Sequence, residues 1–125
     1  MANGRISFWE GNGATQDQVG NTLSGGASYN INCQSGDHGF RNDEARSLKL
    51  EGLPGITLIK VYDSPSASTD DDWAQILIKG PIADSVVVSS FNSSANLDGG
   101  NVVVTSHYHN GLDGKISKIM IDYLG

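Results

Sequence analysis

The chain is dominated by short runs in which β-branched and other apolar residues alternate with polar ones, and helical periodicity is hard to find along it. Such runs are typical of half-buried strands, because successive side chains of a strand point to opposite faces of a sheet. They cover residues 5–9, 47–50, 56–62, 75–78, 85–89, 101–106 and 117–121. A core built from this chain must therefore come mainly from packed strands.

Turn-forming segments separate these runs. The chain has 16 glycines, which supply tight connections with positive φ at little cost. Clusters of Gly, Asn, Asp and Ser lie at residues 11–13, 24–26, 98–101 and 110–111. Many short strands at regular spacing predict an all-β fold, a sandwich or a barrel.

The chain also contains a weak internal repeat. The segment Ile-Ser-Phe-Trp-Glu at residues 6–10 is echoed by Ile-Lys-Val-Tyr-Asp at residues 59–63. Each half then ends in a polar loop that leads into an apolar strand, at residues 42–47 and again at residues 113–118. Two copies of this pattern predict a duplicated Greek key.

We therefore predict two Greek-key motifs packed as a β-sandwich. The first covers about residues 4–52 and the second about residues 55–125, with Gly-Leu-Pro-Gly at residues 52–55 as the hinge. Neither motif easily covers its own apolar face, so both are assigned to one domain, residues 1–125.

Charge and composition exclude several classes of function. The net charge of −6 disfavours nucleic-acid binding, which relies on Lys and Arg. No apolar run is long enough to span a membrane, so no membrane insertion is expected. No signal peptide is expected at the start of the chain, which leaves cytoplasmic and processed, secreted locations open. Cys33 is the only cysteine, so it forms no intrachain disulfide and is expected to be a buried apolar residue.

The repeated corners and loops resemble those of the microbial βγ-crystallin superfamily, over essentially the whole chain. The family's signature has two Asn or Asp positions, two free positions, then Ser or Thr followed by Ser. Here it reads Asn-Asp-Glu-Ala-Arg-Ser at residues 42–47 and Asp-Gly-Lys-Ile-Ser-Lys at residues 113–118. The chain departs from the family after each corner, where a second aromatic residue and a glycine are usual.

The resemblance implies a non-enzymatic protein that binds Ca²⁺ in two crossed loops, so that the ion bridges the motifs and stabilises the fold. Carried over by position, the first site uses the carbonyls of Glu10 and Lys115, the hydroxyl of Ser117 and the carboxylate of Asp43. Each is an oxygen ligand of the kind that Ca²⁺ prefers.

The second site that the resemblance implies is defective. It would use the carbonyls of Asp63 and Glu44, but Arg46 stands where the hydroxyl belongs and Gly114 stands where the crossing side chain belongs. A guanidinium repels Ca²⁺ and has no lone pair to donate. We therefore expect one working site, while a metal-free clamp held by ordinary turn hydrogen bonds stays open as the simpler interpretation.

Other constellations are weaker. The acids at residues 70–72 lack the spacing of an EF-hand loop, and His107 and His109 could join a Zn²⁺ site only with further ligands. Trp9 and Trp73 could stack on a sugar, which supports the alternative of a carbohydrate-binding or adhesion module. No catalytic motif stands out, so we do not expect an enzyme. The sequence leaves the protein or glycan partner, if any, unidentified.

Overall fold

The computed structural model describes residues 4–64, 66–67, 72–92, 94–107 and 116–125. Ten strands are present in this part of the chain, together with three short 3₁₀ turns at Cys33–Ser35, Asp37–Gly39 and Asp98–Gly100. The strands are β1 (Arg5–Gly11), β2 (Thr15–Ser24), β3 (Tyr29–Asn32), β4 (Ser47–Glu51), β5 (Thr57–Tyr62), β6 (Trp73–Ile78), β7 (Ser85–Val88), β8 (Ala95–Leu97), β9 (Val102–His107) and β10 (Lys118–Tyr123).

The strands form two antiparallel sheets, which confirms the prediction of an all-β sandwich. The first sheet has the order β2-β1-β4-β7 and the second has the order β3-β10-β5-β6-β9-β8. Each repeat sends its third strand to the other sheet: β3 pairs with β10, and β7 pairs with β4. The sheets therefore contain strands from both halves of the sequence, as a pair of interlocked Greek keys requires.

The core lies between the two sheets and follows from the alternation of the strands. In β1, Ile6 and Phe8 are buried and lie opposite Leu50 and Leu48 of β4. The second sheet repeats this pattern where β5 pairs with β10, with Ile59 and Val61 opposite Ile121 and Ile119. Phe8 also packs edge-on against Phe40, with ring centroids 5.4 Å apart. Alternate positions thus place one apolar face of each sheet against the other.

The two repeats differ in the connection that leads to their last strand. In the first repeat, residues 33–46 join β3 to β4 without a strand. In the second, residues 89–117 join β7 to β10 and include the β8–β9 hairpin, which pairs with β6 and widens the second sheet. No helix among the described residues is long and apolar enough to cross a membrane.

Candidate metal centre

Each repeat has an aromatic corner at the end of its first strand, Trp9-Glu10 in the first repeat and Tyr62-Asp63 in the second, and the two corners accept equivalent backbone hydrogen bonds. The amide of Arg46 donates to the carbonyl of Trp9, and the amide of Ser117 donates to the carbonyl of Tyr62, both at 2.8 Å. Arg46 and Ser117 occupy the same position of the repeated signature. Each signature loop is therefore fastened to the corner of its own repeat.

The turn after the first corner folds back onto the start of β4. The Ser47 hydroxyl donates to the Gly11 carbonyl at 2.6 Å and accepts from the Ala14 amide at 2.8 Å. Ala14 and Ala67, at matching positions of the two repeats, both have left-handed backbones, with φ of 56° and 60°. Because alanine rarely adopts this conformation, its recurrence shows that the backbone at this one position is alike in the two repeats.

The two signature loops contact each other where Asp43 meets Ile116, and we refer to this contact as the crossing. The amide of Asp43 donates to the carbonyl of Ile116 at 3.1 Å, although the residues belong to different repeats. Asp43 adopts a left-handed backbone with φ of 63°, which Asp tolerates better than most residues. On the other side, the amide of Cys33 donates to the carbonyl of Ser117 at 2.9 Å. Asp43 is therefore held beside the residue that precedes Ser117.

One buried oxygen at this crossing lacks a partner. Asn42 Oδ1 is inaccessible to solvent and accepts no hydrogen bond among the described residues. Ser117, in the facing loop, is only 3% exposed. An orphaned buried acceptor is rare, and a cation or its bound water would satisfy it. The chemistry of the crossing thus fits an oxygen-liganded cation.

An open depression of about 240 Å³ lies at the first corner and is lined by Glu10, Gln16, Asp43, Glu44 and Arg46. It brings together two of the predicted ligand residues, Glu10 and Asp43, and two residues of the predicted defective site, Glu44 and Arg46. Gln16, which has a left-handed backbone with φ of 64°, was not predicted as a site residue.

The remaining predicted ligands lie elsewhere or outside the described residues. Ser117 is fastened to Tyr62, so its backbone lies next to the second corner, where Asp63 follows Tyr62. Lys115 and Gly114 lie outside the described part of the chain. The predicted association of the Ser117 hydroxyl with the Glu10 carbonyl therefore stays a prediction.

No group of three His, Cys, Asp or Glu side chains that could hold a metal is found among the described residues. The predicted ligand set includes a single carboxylate and otherwise consists of two carbonyls and a hydroxyl. Such a set contains no cluster of titratable side chains. The acids Asp70 and Asp71 and the second histidine, His109, lie outside the described residues.

The aromatic side chains around Trp73 form a stack across three strands. The Trp73 ring lies 4.0 Å from that of His107 at 5° and 5.7 Å from that of Tyr62 at 12°. Both faces of Trp73 are covered, so it is not free to stack on a sugar. Trp9 is half-buried and lies outside the hydrophobic core, and its Nε1 donates to Ser7 Oγ at 3.0 Å.

Cys33 is buried beside the crossing, as expected for an apolar residue. Burial, followed by the nearby carboxylates of Asp37 and Asp43, raises the pKa of its thiol to about 12. Because metals bind the thiolate rather than the thiol, Cys33 is poorly suited to be a ligand at neutral pH.

The class of protein that these features define is a two-motif Greek-key sandwich with the βγ-crystallin fold. Among solved structures, the chain is similar to the N-terminal domain of protein S, with a TM-score of 0.50 and 16% identity. The match covers 96% of this chain and 97% of that chain. It confirms the expected resemblance at the level of the fold.

A second similar structure is a βγ-crystallin domain from Flavobacterium johnsoniae, with a TM-score of 0.47 and 18% identity over 96% of both chains. No family model and no curated protein sequence matches the chain.

Proposed function

We propose that this protein is a non-enzymatic Ca²⁺-binding domain in which one ion joins the crossed signature loops and stabilises the fold. The observation that carries the proposal is the hydrogen bond from the Asp43 amide to the Ile116 carbonyl, at 3.1 Å. It brings a carboxylate-bearing residue of the first repeat next to the hydroxyl-bearing segment of the second. Ca²⁺ prefers such mixed sets of carboxylate, hydroxyl and carbonyl oxygens.

The ligand set that we propose contains the Asp43 carboxylate, the Ser117 hydroxyl and the carbonyls of Glu10 and Lys115. The buried oxygen of Asn42 supports this choice, because a cation or its water would give that oxygen a partner. The shared depression of Glu10 and Asp43 supports the first corner as the source of a carbonyl.

The second corner offers a competing carbonyl. Because the Ser117 amide donates to Tyr62, the carbonyl of the next residue, Asp63, is a candidate in place of that of Glu10. Backbone ¹⁵N shifts on Ca²⁺ addition separate the two, since polarising a carbonyl shifts the nitrogen of the following residue. A large shift at Gly11 supports Glu10, and one at Ser64 supports Asp63.

A non-enzymatic role is supported by the described titratable groups. Cys33 and Tyr62 have clearly shifted pKa values, and in both the first cause is burial, which raises the pKa. A raised pKa disfavours the thiolate or phenolate that a nucleophile needs. Arg46 lines the same depression as Glu10 and Asp43, so its positive charge opposes an ion that uses the Glu10 carbonyl and favours the Asp63 carbonyl in its place.

Isothermal calorimetry of the metal-stripped protein with CaCl₂ tests the proposal. We expect saturable binding of one ion per chain, with Mg²⁺ much weaker because it needs a smaller, regular octahedral site. Absence of heat and of any ¹⁵N shift at millimolar Ca²⁺ would leave the crossed loops as a metal-free clamp. A stoichiometry of two would show that Arg46 does not disable the second site.

A further inference from the structure

The second sheet extends past the first on one side of the sandwich. The loop of residues 25–28 is short, so β2 and β3 lie on the same side, and the four strands of the first sheet face β3, β10, β5 and β6. The remaining strands, β9 and β8, then have no strand of the first sheet opposite them. They project beyond the edge strand β7 as an overhang.

A groove lies between this overhang and β7. It has a volume of about 290 Å³ and is lined by Val87, Val88, Ser89, Ser90, Ala95, Leu97 and Val104. None of these residues is charged, in a chain whose net charge is −6. The groove is thus neutral and mostly apolar, with Ser89 and Ser90 as its polar lining residues, and β7 forms one wall.

The backbone of β7 presents hydrogen-bonding groups toward the groove side. The Gly52 amide donates to the Asp84 carbonyl at 2.9 Å, so residues 84 and 52 form a hydrogen-bonded pair. Along an antiparallel ladder, hydrogen-bonded pairs of residues alternate with pairs that are not hydrogen-bonded to each other. In the register of β7 on β4, Ser85 and Val87 belong to the second kind, so their amides and carbonyls point away from β4. Within the described residues, β7 has a hydrogen-bonded strand neighbour on that one side.

A second copy of the chain does not fit this edge. Two β7 strands paired antiparallel are related by a two-fold axis perpendicular to the sheet, which puts both second sheets on the same side. Each β8–β9 overhang would then occupy the space of the other. The overhang thus protects β7 from edge-to-edge pairing and admits a single extended chain.

The charges at one end of the groove indicate the polarity of the occupant. Asp84 precedes β7 and Asp98 follows β8, and both are exposed. Asp84 belongs to the β6–β7 loop, and Asp98 belongs to the turn between β8 and β9. The Lys79 amide donates to the Asn101 carbonyl at 2.8 Å, which joins this loop to this turn, so the two acids lie at the same end of the groove. With Lys79 and the nearby pair of Arg5 and Glu51 included, this end has three acids against two cations.

We propose that this groove binds one extended peptide segment of a partner protein, which adds to the first sheet beside β7 as a fifth strand. Its small apolar side chains, at alternate positions, point into the groove, and its backbone pairs with Ser85 and Val87. Antiparallel addition, the more stable arrangement, puts the carboxyl end of the segment next to Asp84 and Asp98, where a Lys or Arg is favoured.

The test is fluorescence anisotropy with the full chain and a labelled peptide, Ser-Val-Thr-Val-Ser-Val-Lys. We expect saturable 1:1 binding that Val87→Pro weakens at least about tenfold, since proline removes the outward amide and one paired group. Asn30→Pro is the matched control. It removes an outward amide from β3, the equivalent edge strand of the other sheet, and should leave the affinity unchanged.

Two further comparisons use the peptide rather than the protein. Two peptides are made, each N-methylated at one of the two alternating sets of amides. Only the peptide whose methyl groups face β7 should lose affinity. This comparison tests pairing with β7 even if Val87→Pro fails to fold. Replacing the terminal Lys by Glu should weaken binding, and Asp84→Asn with Asp98→Asn should remove that difference.

Other outcomes overturn the proposal. No saturable binding up to about 1 mM peptide, or equal losses in Val87→Pro and Asn30→Pro, would show that β7 is not a docking edge. Dimerisation of the wild-type chain that Val87→Pro abolishes would make a second copy the occupant.

Discussion

At the residue scale, the crossed loops depend on two side chains that lie far apart in the sequence. Asp43→Ala and Ser117→Ala should each abolish most Ca²⁺ binding, because each removes a direct oxygen ligand of the proposed site. Calorimetric titration of each variant measures the effect. Asp84→Ala is the matched control, since Asp84 is an exposed acid whose carbonyl pairs with Gly52, at the end of β4 away from the first corner. Full binding after Asp43→Ala would show that the ligands are wrongly assigned.

The defective second site provides a gain-of-function test. Arg46→Ser alone should not create a strong site, because Gly114 still supplies no crossing carboxylate. Arg46→Ser combined with Gly114→Asp should raise the stoichiometry from one ion to two. Asp43, at the matching position of the first signature, has φ of 63°, so the first signature accommodates an aspartate at this position even with a left-handed backbone. One ion in the double variant would argue that the two signatures are not equivalent.

Cys33 tests the packing beside the crossing. Burial raises the pKa of its thiol to about 12, with smaller contributions from Asp37 and Asp43, so the native protein carries almost no thiolate at pH 8. We expect no reaction of the native protein with a disulfide reagent at that pH and one reactive thiol per chain in denaturant. Rapid labelling of the folded protein would mean that this region opens to solvent.

At the element scale, the turn between β1 and β2 is fastened by a single side chain. Ser47 is fully buried and bonds both Gly11 and Ala14 through its hydroxyl. Ser47→Ala should lower the free energy of unfolding by about 1–3 kcal/mol, because it leaves a buried carbonyl and amide without a partner. Denaturant titration measures the change. Thr105→Ala, at an exposed position of β9, should change stability much less.

The exchange of third strands links the two repeats more tightly than a simple tandem arrangement. β3 is paired with β10, and β7 is paired with β4. The two repeats therefore cannot separate without breaking the hydrogen bonds of these two strand pairs. The same exchange puts each signature loop close to its counterpart. A cation at the crossing would therefore act on both sheets together.

At the scale of the whole molecule, Ca²⁺ should raise thermal stability while the metal-free chain stays folded. An ion that binds only the native state stabilises it by about 2.7 kcal/mol at a hundredfold excess over Kd. The core of Phe8, Leu48, Ile59, Ile119 and their neighbours contains no proposed ligand, so it should persist without metal. Melting curves by circular dichroism, with CaCl₂ and with chelator, measure both effects.

Two results would contradict this view of the whole molecule. A melting temperature unmoved by millimolar Ca²⁺ would remove the stabilising role of the ion. A random-coil spectrum in chelator would mean that the apolar core is insufficient and that the metal is required for folding.

The sequence by itself determined the class of fold and most of its strands. Alternation is a local property, so β1, β4, β5, β6, β7, β9 and β10 were all predicted from short runs. The repeat likewise marked both corners and both signature loops. Strands β2, β3 and β8 were missed, because exposed polar segments such as residues 15–18 resemble loops until a neighbouring strand pairs with them.

Only the tertiary structure decided which strands and loops meet. The pairing of Ser117 with the Tyr62 corner, and of Asp43 with Ile116, depends on hydrogen bonds between residues distant in sequence. The overhang of β8 and β9 beside β7 depends on the different lengths of two connections and on the exchange of third strands. Local preferences specify that a segment is a strand, whereas its partner is chosen by the burial of apolar faces across the whole chain.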